Sequence, residues 1–231
     1  MKVKILTMQR VINYGSFMQA YALKKIIESY GHTVEFCDFK PGLPRHKGEK
    51  VTPVTKLEKL NKLPRYIISP KSYIHKRIFN KRKLKCFHEA AWPLLSVTEK
   101  LDFEYTCDLF IVGSDEVFNY TQNHAFGYVP AFFGYGVNSK AIVTYAASAG
   151  YTNIKDIEAD GMTTEITHGF SNFNMLSVRD DNTYEIVKHY SSHIPTMVID
   201  PTLLYDFSDD LGDIPDIAKQ CNYLLIYARA C

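Results

Sequence analysis

The sequence has neither a long apolar run nor a pair of neighbouring cysteines, and both absences restrict where the protein works. No stretch approaches the ~18–20 apolar residues of a membrane span, and the N-terminus turns polar at Gln9, too early for a signal-peptide core. The five cysteines are scattered and odd in number, which indicates neither a zinc site nor a disulfide framework. We therefore expect a cytoplasmic protein with reduced thiols.

Several chemical signatures are missing as well. The eight histidines show no metal-ligand spacing such as H-E-x-x-H, so no metal is expected. The chain has no G-x-S-x-G elbow, which argues against a hydrolase nucleophile, and no G-x-G-x-x-G pattern. A glycine turn taken alone is therefore a weak signal of a phosphate site.

The net charge of +2 conceals a strongly basic segment on an acidic body. Of 27 Lys and Arg and 25 Asp and Glu, residues 44–86 hold fourteen and two, and the remaining chain holds thirteen and twenty-three. We expect a basic helical insertion over residues 42–90, with helices near 56–63 and 72–87. Such a segment is usually a solvated face. It could also attract anionic glycan precursors or an anionic membrane surface through residues 44–86, and nucleic acid is less favoured.

The rest of the chain alternates apolar, β-branched runs with helical periodicity. Helices are predicted over residues 17–30, 162–173 and 183–190. Strands are predicted over residues 3–7, 33–38, 109–112, 141–147, 175–178, 196–199 and 223–227. This alternation predicts an α/β fold, a Rossmann-like parallel sheet with helices on both faces.

Small or polar residues follow five of the predicted strands. Because ligands bind at the carboxyl ends of strands in open parallel sheets, we expect these residues to share one site. They lie at positions 13–16, 113–115, 148–150, 179–180 and 200–201.

The first two sets each allow a functional and a structural interpretation. The turn with Asn13, Gly15 and Ser16 could present backbone N–H groups to a phosphate or carboxylate, or could simply cap a helix. Gly113 would let a ligand or a loop approach the backbone closely. Asp115 after it could bind a sugar hydroxyl, act as an acid or base, or cap a helix.

Arg179 is the strongest single candidate. It follows a strand directly, and a guanidinium binds carboxylate or phosphate in a two-pronged geometry that lysine cannot copy. The alternative is a salt bridge to Asp180, Asp181 or a neighbouring helix. Ser148 could donate one hydrogen bond or cap a helix, and the pair at 200–201 is expected to be structural.

Five segments together resemble the polysaccharide pyruvyl transferase family, in the family's order. The first two are specific and the others add weight, although Phe118 stands where tryptophan is common. The segments are 13–23 (NYGSFMQAYAL), 108–119 (DLFIVGSDEVFN), 145–150 (YAASAG), 177–180 (SVRD) and 200–204 (DPTLL).

The resemblance implies a cytoplasmic bacterial transferase that moves pyruvate from phosphoenolpyruvate to a glycan sugar as a ketal, in surface polysaccharide biosynthesis. It implies a twin-Rossmann, GT-B-type architecture with substrates in the cleft and no organic cofactor or metal. Arg179 would bind the donor, and Asp115 would contact the acceptor or take part in acid–base catalysis. The remaining candidates would line the cleft: Asn13, Gly15, Ser16, Ser114 and Ser148.

The family's length sets a further expectation. We expect residues 1–205 to form the N-terminal Rossmann-like domain and residues 206–231 to be a linker with the first strand of a truncated second domain. The chain would then be inactive alone. The partners implied are a glycan or lipid-linked oligosaccharide, an inner membrane face to which the protein is peripheral, and a second copy in a homodimer. The alternatives are a nucleotide-sugar glycosyltransferase and a non-catalytic glycan-binding module.

Overall fold

A computed structural model describes residues 1–48, 70–123 and 125–210. Within these residues, six parallel strands form one sheet in the order β2-β1-β3-β4-β5-β6. The strands are β1 (Lys2–Leu6), β2 (Thr33–Cys37), β3 (Thr106–Asp115), β4 (Asn138–Ala147), β5 (Ser177–Val178) and β6 (Thr196–Met197). The predicted α/β fold with a parallel sheet is therefore confirmed.

The helices connect these strands and close the ends of the sheet. The helices are α1 (Tyr14–Ser29), α2 (Pro70–Cys86), α3 (Ile154–Asp160), α4 (Thr163–Ser171) and α5 (Asp181–Tyr190). Helix α2 continues through a π-helical turn (Phe87–Ala91) into a short α-helical turn (Trp92–Leu94). Short 3-10 helices lie at Pro130–Phe133, Pro201–Leu203 and Phe207–Asp210.

Side chains that alternate along the strands belong to two hydrophobic cores, one on each face of the sheet. On one face, Val3 and Ile5 of β1 join a buried cluster with Leu23 of α1. On the other face, Val112 of β3 belongs to a larger cluster that includes Phe170 of α4. Strand β3 is apolar on both sides, with Phe110 and Val112 in one cluster and Ile111 in the other, as expected of a buried strand in a parallel sheet.

The boundaries differ from the predictions where side-chain caps or tertiary pairing decide them. Helix α1 begins at Tyr14, three residues before the predicted start, because the Asn13 side chain caps it. Helix α3 was not predicted, since its seven residues are too few for a clear period; a capping box of Asn153 and Asp156 starts it. The predicted helix at 56–63 and strand at 223–227 lie outside the described residues.

The basic helix α2 stands at the periphery of the fold. Its residues 73–82 are all exposed, whereas Phe87 just beyond its carboxyl end is fully buried. Phe87 packs against Tyr14 and Phe17, with ring centroids 5.2 and 6.4 Å away. The helix is therefore attached to the body through its carboxyl end, beside the start of α1. None of the described helices is long and apolar enough to cross a bilayer.

Candidate functional site

The sheet order places a topological switch point at the carboxyl ends of β1 and β3, and we call this region the crevice. The chain leaves β1 toward β2 on one side, and β3 pairs with β1 on the other, so the connections diverge at this point. In doubly wound sheets such a divergence separates the two flanking loops and leaves room for a ligand. The residues predicted at strand ends all lie along this edge.

The first turn of α1 forms one side of the crevice. Asn13 Oδ1 accepts a hydrogen bond from Gly15 N at 2.9 Å, so the asparagine side chain serves as the helix cap. Ser16, in the same turn, donates instead across the crevice to Asp115 Oδ2 at 2.6 Å. The turn therefore combines two roles, because the Asn13 side chain caps helix α1 and the Ser16 side chain contacts Asp115.

The backbone at the end of β3 has positive φ angles at two residues. Gly113 has φ of +117°, and a Cβ there would lie 2.3 Å from the Tyr145 carbonyl oxygen of the neighbouring strand. Asp115 has φ of +84°, a region that costs a non-glycine residue about 1–3 kcal/mol and that occurs preferentially at functional sites. The backbone here directs the Asp115 side chain toward Ser16 and Arg179.

Four side chains from four elements form a continuous polar chain across the edge. Asp115 accepts from Ser16 on one carboxylate oxygen and from the Glu116 amide, at 2.9 Å, on the other. Arg179, following β5, places NH2 3.8 Å from Asp115 Oδ1 and donates from NH1 to Asp200 Oδ2 at 2.9 Å. All three charged groups are partly buried, between 17% and 26% exposed, so their interactions are only partly screened by water.

Asp200 is itself fixed from the opposite side. Its Oδ1 accepts from the amide and the hydroxyl of Thr202, at 3.0 and 2.8 Å. One carboxylate oxygen therefore caps the turn Pro201–Leu203 and the other holds Arg179. The pair at 200–201 was predicted to be structural; the structure adds the contact with Arg179, which the sequence analysis missed.

Beneath this chain lies a buried polar network centred on Gln19. The Gln19 amide donates to Thr7 Oγ1 at 3.2 Å and to the Ser16 carbonyl at 3.0 Å, and its Oε1 accepts from the Ser114 hydroxyl. Thr7 in turn donates to the Ser114 carbonyl at 2.8 Å. The network joins the ends of β1 and β3 to the first turn of α1, so it fixes the distance that Ser16 and Asp115 bridge.

Two predicted site residues lie below the surface. Ser114 is fully buried and its hydroxyl is engaged by Gln19, so it supports the site from within the protein. Ser148 is 4% exposed; its Oγ accepts from Gly150 N at 3.0 Å, and its amide donates to the Asp115 carbonyl. It therefore fixes the backbone on which Asp115 stands.

Further groups border the polar chain. Tyr145 of β4 donates to the Ile199 carbonyl at 3.3 Å; burial and the nearby charge of Asp200 raise the pKa of Tyr145, so it stays protonated at neutral pH. On the other side, Lys83 of α2 lies over the ring of the exposed Tyr14, 5.3 Å from its centroid. The described residues contain no group of three or more His, Cys, Asp or Glu side chains placed to hold a metal ion.

The arrangement offers complementary chemistry at one place. The Asp115 carboxylate can accept a proton or a hydroxyl hydrogen bond, and the guanidinium of Arg179 has five N–H donors, more than its contact with Asp200 uses. A partly buried cation beside a carboxylate suits an anionic ligand that reacts with a hydroxyl group. Ser16, Asp115 and Arg179 lie together at the sheet edge, and their functional roles stay predictions; Gln19 was not among the expected site residues, and Asp200 was expected there as a structural residue.

Comparison with models of protein families identifies the family of this chain. The model of a family described as polysaccharide pyruvyl transferase matches residues 13–229, nearly the whole chain, from the Asn13 cap past Asp200. No curated protein and no solved structure matches. The family match confirms the resemblance derived from the sequence and the class of transferase that it implies.

Proposed function

Because the chain belongs to the polysaccharide pyruvyl transferase family, we propose that it transfers pyruvate from phosphoenolpyruvate to two hydroxyls of a glycan sugar, as a cyclic ketal. The proposal places this reaction in the biosynthesis of bacterial surface polysaccharides. It also assigns the parallel sheet to the N-terminal half of a twin-Rossmann, GT-B-type architecture, with phosphoenolpyruvate as co-substrate and no organic cofactor.

The reaction sets three requirements. A proton adds to the methylene carbon of phosphoenolpyruvate, and the first sugar hydroxyl adds to the neighbouring carbon and gives up its proton. Phosphate then leaves, and the second hydroxyl closes the ketal ring. One hydroxyl proton balances the new methyl group and the other leaves with phosphate, so the enzyme must bind two anionic groups, supply an acid and supply a base.

The observation that carries the proposal is the polar chain from Ser16 through Asp115 and Arg179 to Asp200. Arg179 would bind the carboxylate or phosphate of the donor, with Asp200 holding the guanidinium in place. Asp115, held by Ser16, would accept the proton of the attacking hydroxyl or bind the acceptor sugar. Asn13 and Gly15 would line the cleft, and Ser114 and Ser148 would support it.

The test is ligand-induced thermal stabilisation of the purified chain. Phosphoenolpyruvate should raise the melting temperature saturably, because a ligand that binds only the folded state stabilises it by about 2.7 kcal/mol at one hundred times its Kd. Arg179→Ala should abolish the response, and Arg179→Lys should weaken it, since lysine keeps the charge but loses the planar geometry. Arg10→Lys is a matched control, because Arg10 is another partly buried arginine that donates to a carboxylate, that of Asp38, from Nε at 2.5 Å and from NH2 at 3.0 Å.

Other outcomes would point to other functions. Stabilisation by nucleotide sugars in place of phosphoenolpyruvate would indicate a glycosyltransferase, and stabilisation by glycans alone would indicate a binding module. Where phosphoenolpyruvate does bind, release of inorganic phosphate that depends on a glycan acceptor measures the transfer itself. A phosphoenolpyruvate response that survives in Arg179→Ala would remove Arg179 from the donor site.

A further inference from the structure

Helix α2 is the most strongly charged surface among the described residues. Its seventeen residues, Pro70–Cys86, contain seven Lys or Arg and no Asp or Glu. Five of the cations, Lys76, Arg77, Lys81, Arg82 and Lys85, have exposed side chains. With the helix at +7 and the whole chain at +2, the rest of the chain carries −5, so α2 is far more positive than the chain as a whole.

Large apolar side chains are exposed between these cations. The side chains of Ile74, Ile78 and Phe79 are 51%, 45% and 63% exposed. The neighbouring side chains on the helix are mostly charged and leave these apolar groups in contact with water. Cations and apolar groups alternate around the helix, so they do not segregate into one apolar and one charged face. A partner must therefore satisfy both kinds of side chain over the same area.

An anionic bilayer has both properties. Its headgroup phosphates attract Lys and Arg, while the boundary of the acyl chains accepts apolar side chains, and the long stems of Lys and Arg bridge the two depths. A nucleic acid offers the phosphates without an aliphatic environment for Ile74 and Ile78. The exposed aliphatic groups therefore favour the bilayer over the nucleic acid.

We propose that the exposed surface of α2 binds anionic phospholipid membranes and so holds the protein at a bilayer. Phe87 fixes the carboxyl end of α2 against Tyr14 and Phe17 of α1, and Lys83 lies over the Tyr14 ring. Membrane binding through α2 thus places the crevice at the start of α1 close to the bilayer surface. The proposal does not depend on the reaction that the crevice performs.

Vesicle co-sedimentation of the whole chain tests the proposal. Vesicles of phosphatidylcholine with about 30% phosphatidylglycerol should bind the protein, and pure phosphatidylcholine vesicles should not. The variant Lys76→Gln, Arg77→Gln, Lys81→Gln, Arg82→Gln should partition about a hundred- to a thousandfold less, since each of the four cations near an anionic surface adds roughly 1 kcal/mol. The matched control replaces four exposed lysines outside α2, at positions 40, 100, 155 and 188, with Gln and should retain binding.

Two further arms separate the contributions. Ile78→Ser with Phe79→Ser should weaken binding to the anionic vesicles without removing it, because the charges remain. A DNA duplex at the same ionic strength should bind more weakly than the vesicles. Equal loss in the two four-residue variants, or duplex binding tighter than vesicle binding, would overturn the proposal; circular dichroism and melting temperature check that each variant is folded.

Discussion

Arg179 lies between two carboxylates, and their distances from the guanidinium differ. Asp200 approaches NH1 to 2.9 Å, within hydrogen-bonding distance, whereas Asp115 is 3.8 Å from NH2. The near contact orients the guanidinium, whereas the distant one is too long for a hydrogen bond. A ligand carboxylate or phosphate could accept hydrogen bonds from NH2 without breaking the pair with Asp200, so Asp200 is expected to act as a positioning residue.

Asp200→Asn should weaken phosphoenolpyruvate binding by about ten- to a hundredfold, because a hydrogen bond to a charged group contributes about 1.5–3 kcal/mol. Asparagine can still cap the turn through Thr202, so stability should change little. Asp206→Asn is the matched control, since Asp206 caps Ser208 through the same amide and hydroxyl contacts. Titration calorimetry measures both affinities, and equal affinities would remove Asp200 from the donor site.

Gly113→Ala should lower the free energy of unfolding by about 2–5 kcal/mol. A positive φ costs about 1–2 kcal/mol, and the clash of the new Cβ with the Tyr145 carbonyl adds about 1–3. Gly136→Ala measures the first contribution alone, because Gly136 has φ of +75° and open space around its Cβ position, so the difference between the two variants gives the contribution of the clash. Urea denaturation compares the two variants, and equal losses would show that the contact with Tyr145 is unimportant.

At the scale of elements, β1 contains a lysine that is charged and almost fully buried. Lys4 is 1% exposed, and its ammonium donates to Asp102 Oδ2 at 2.8 Å and to the Glu104 carbonyl. Burial alone would lower the pKa of Lys4, but the hydrogen bond and charge of Asp102 raise it. Burial would likewise raise the pKa of Asp102, but the hydrogen bonds from Lys4 and from the Glu104 amide lower it.

Asp102→Asn should reduce the unfolding free energy by about 1–2 kcal/mol at pH 7. The usual 3–5 kcal/mol for breaking a buried pair is discounted because the Asp102 side chain is 41% exposed. Since the folded pKa of Asp102 is depressed, its contribution is complete above the unfolded value of about 3.9 and is lost as the pH falls through the lower folded value.

The matched control is Asp108→Asn, which breaks a pair with the exposed Lys140 and should change the unfolding free energy much less than Asp102→Asn, because water screens the exposed pair. Denaturation between pH 3 and pH 8 distinguishes the two variants. A difference between the original chain and Asp102→Asn that persists unchanged at the acid end would contradict the ion-pair explanation.

Elements with a strong local pattern were predictable from sequence. The unit β1–α1–β2 was found because apolar runs, a glycine turn and a 3.6-residue period coincide within forty residues. The 3-10 helix Pro130–Phe133 and the loops around it carry no period, although Phe132 and Phe133 are among the most buried side chains. Their structure depends on tertiary contacts, such as the tilted ring contact of Phe133 with Phe118, which a local pattern cannot specify.

The site was predictable to the extent that sheet topology dictates it. Ser16, Asp115 and Arg179 follow different strands, and a parallel sheet brings such positions to one edge. The partner of Arg179 was not predictable, because Asp180 and Asp181 are its nearest acids in sequence. Asp180 instead caps α5 by accepting from the Thr183 amide at 2.8 Å, which leaves Arg179 to pair across the sheet edge with Asp200.

At the scale of the whole molecule, the basic segment at residues 44–86, which includes α2, differs sharply in net charge from the rest of the chain. Residues 44–86 hold fourteen basic and two acidic residues, and the remaining chain holds thirteen and twenty-three. The net charge of +2 therefore describes neither part. Long-range attraction to a charged surface depends on which part faces that surface, so the protein should bind strongly to a cation-exchange matrix despite its small net charge.

The same separation of charge should cause attraction between copies of the protein. The basic helix of one molecule can approach the acidic body of another, so at low ionic strength the average force between molecules should be attractive. Light scattering should give a negative second virial coefficient near 10 mM salt, where the Debye length is about 30 Å, rising toward zero near 0.15 M, where it is about 8 Å. The variant with four α2 cations replaced should show a weaker dependence on salt, although ten of the fourteen basic residues at 44–86 remain, so the helix that we expect to hold the protein at a membrane also affects the conditions under which the free protein stays dispersed.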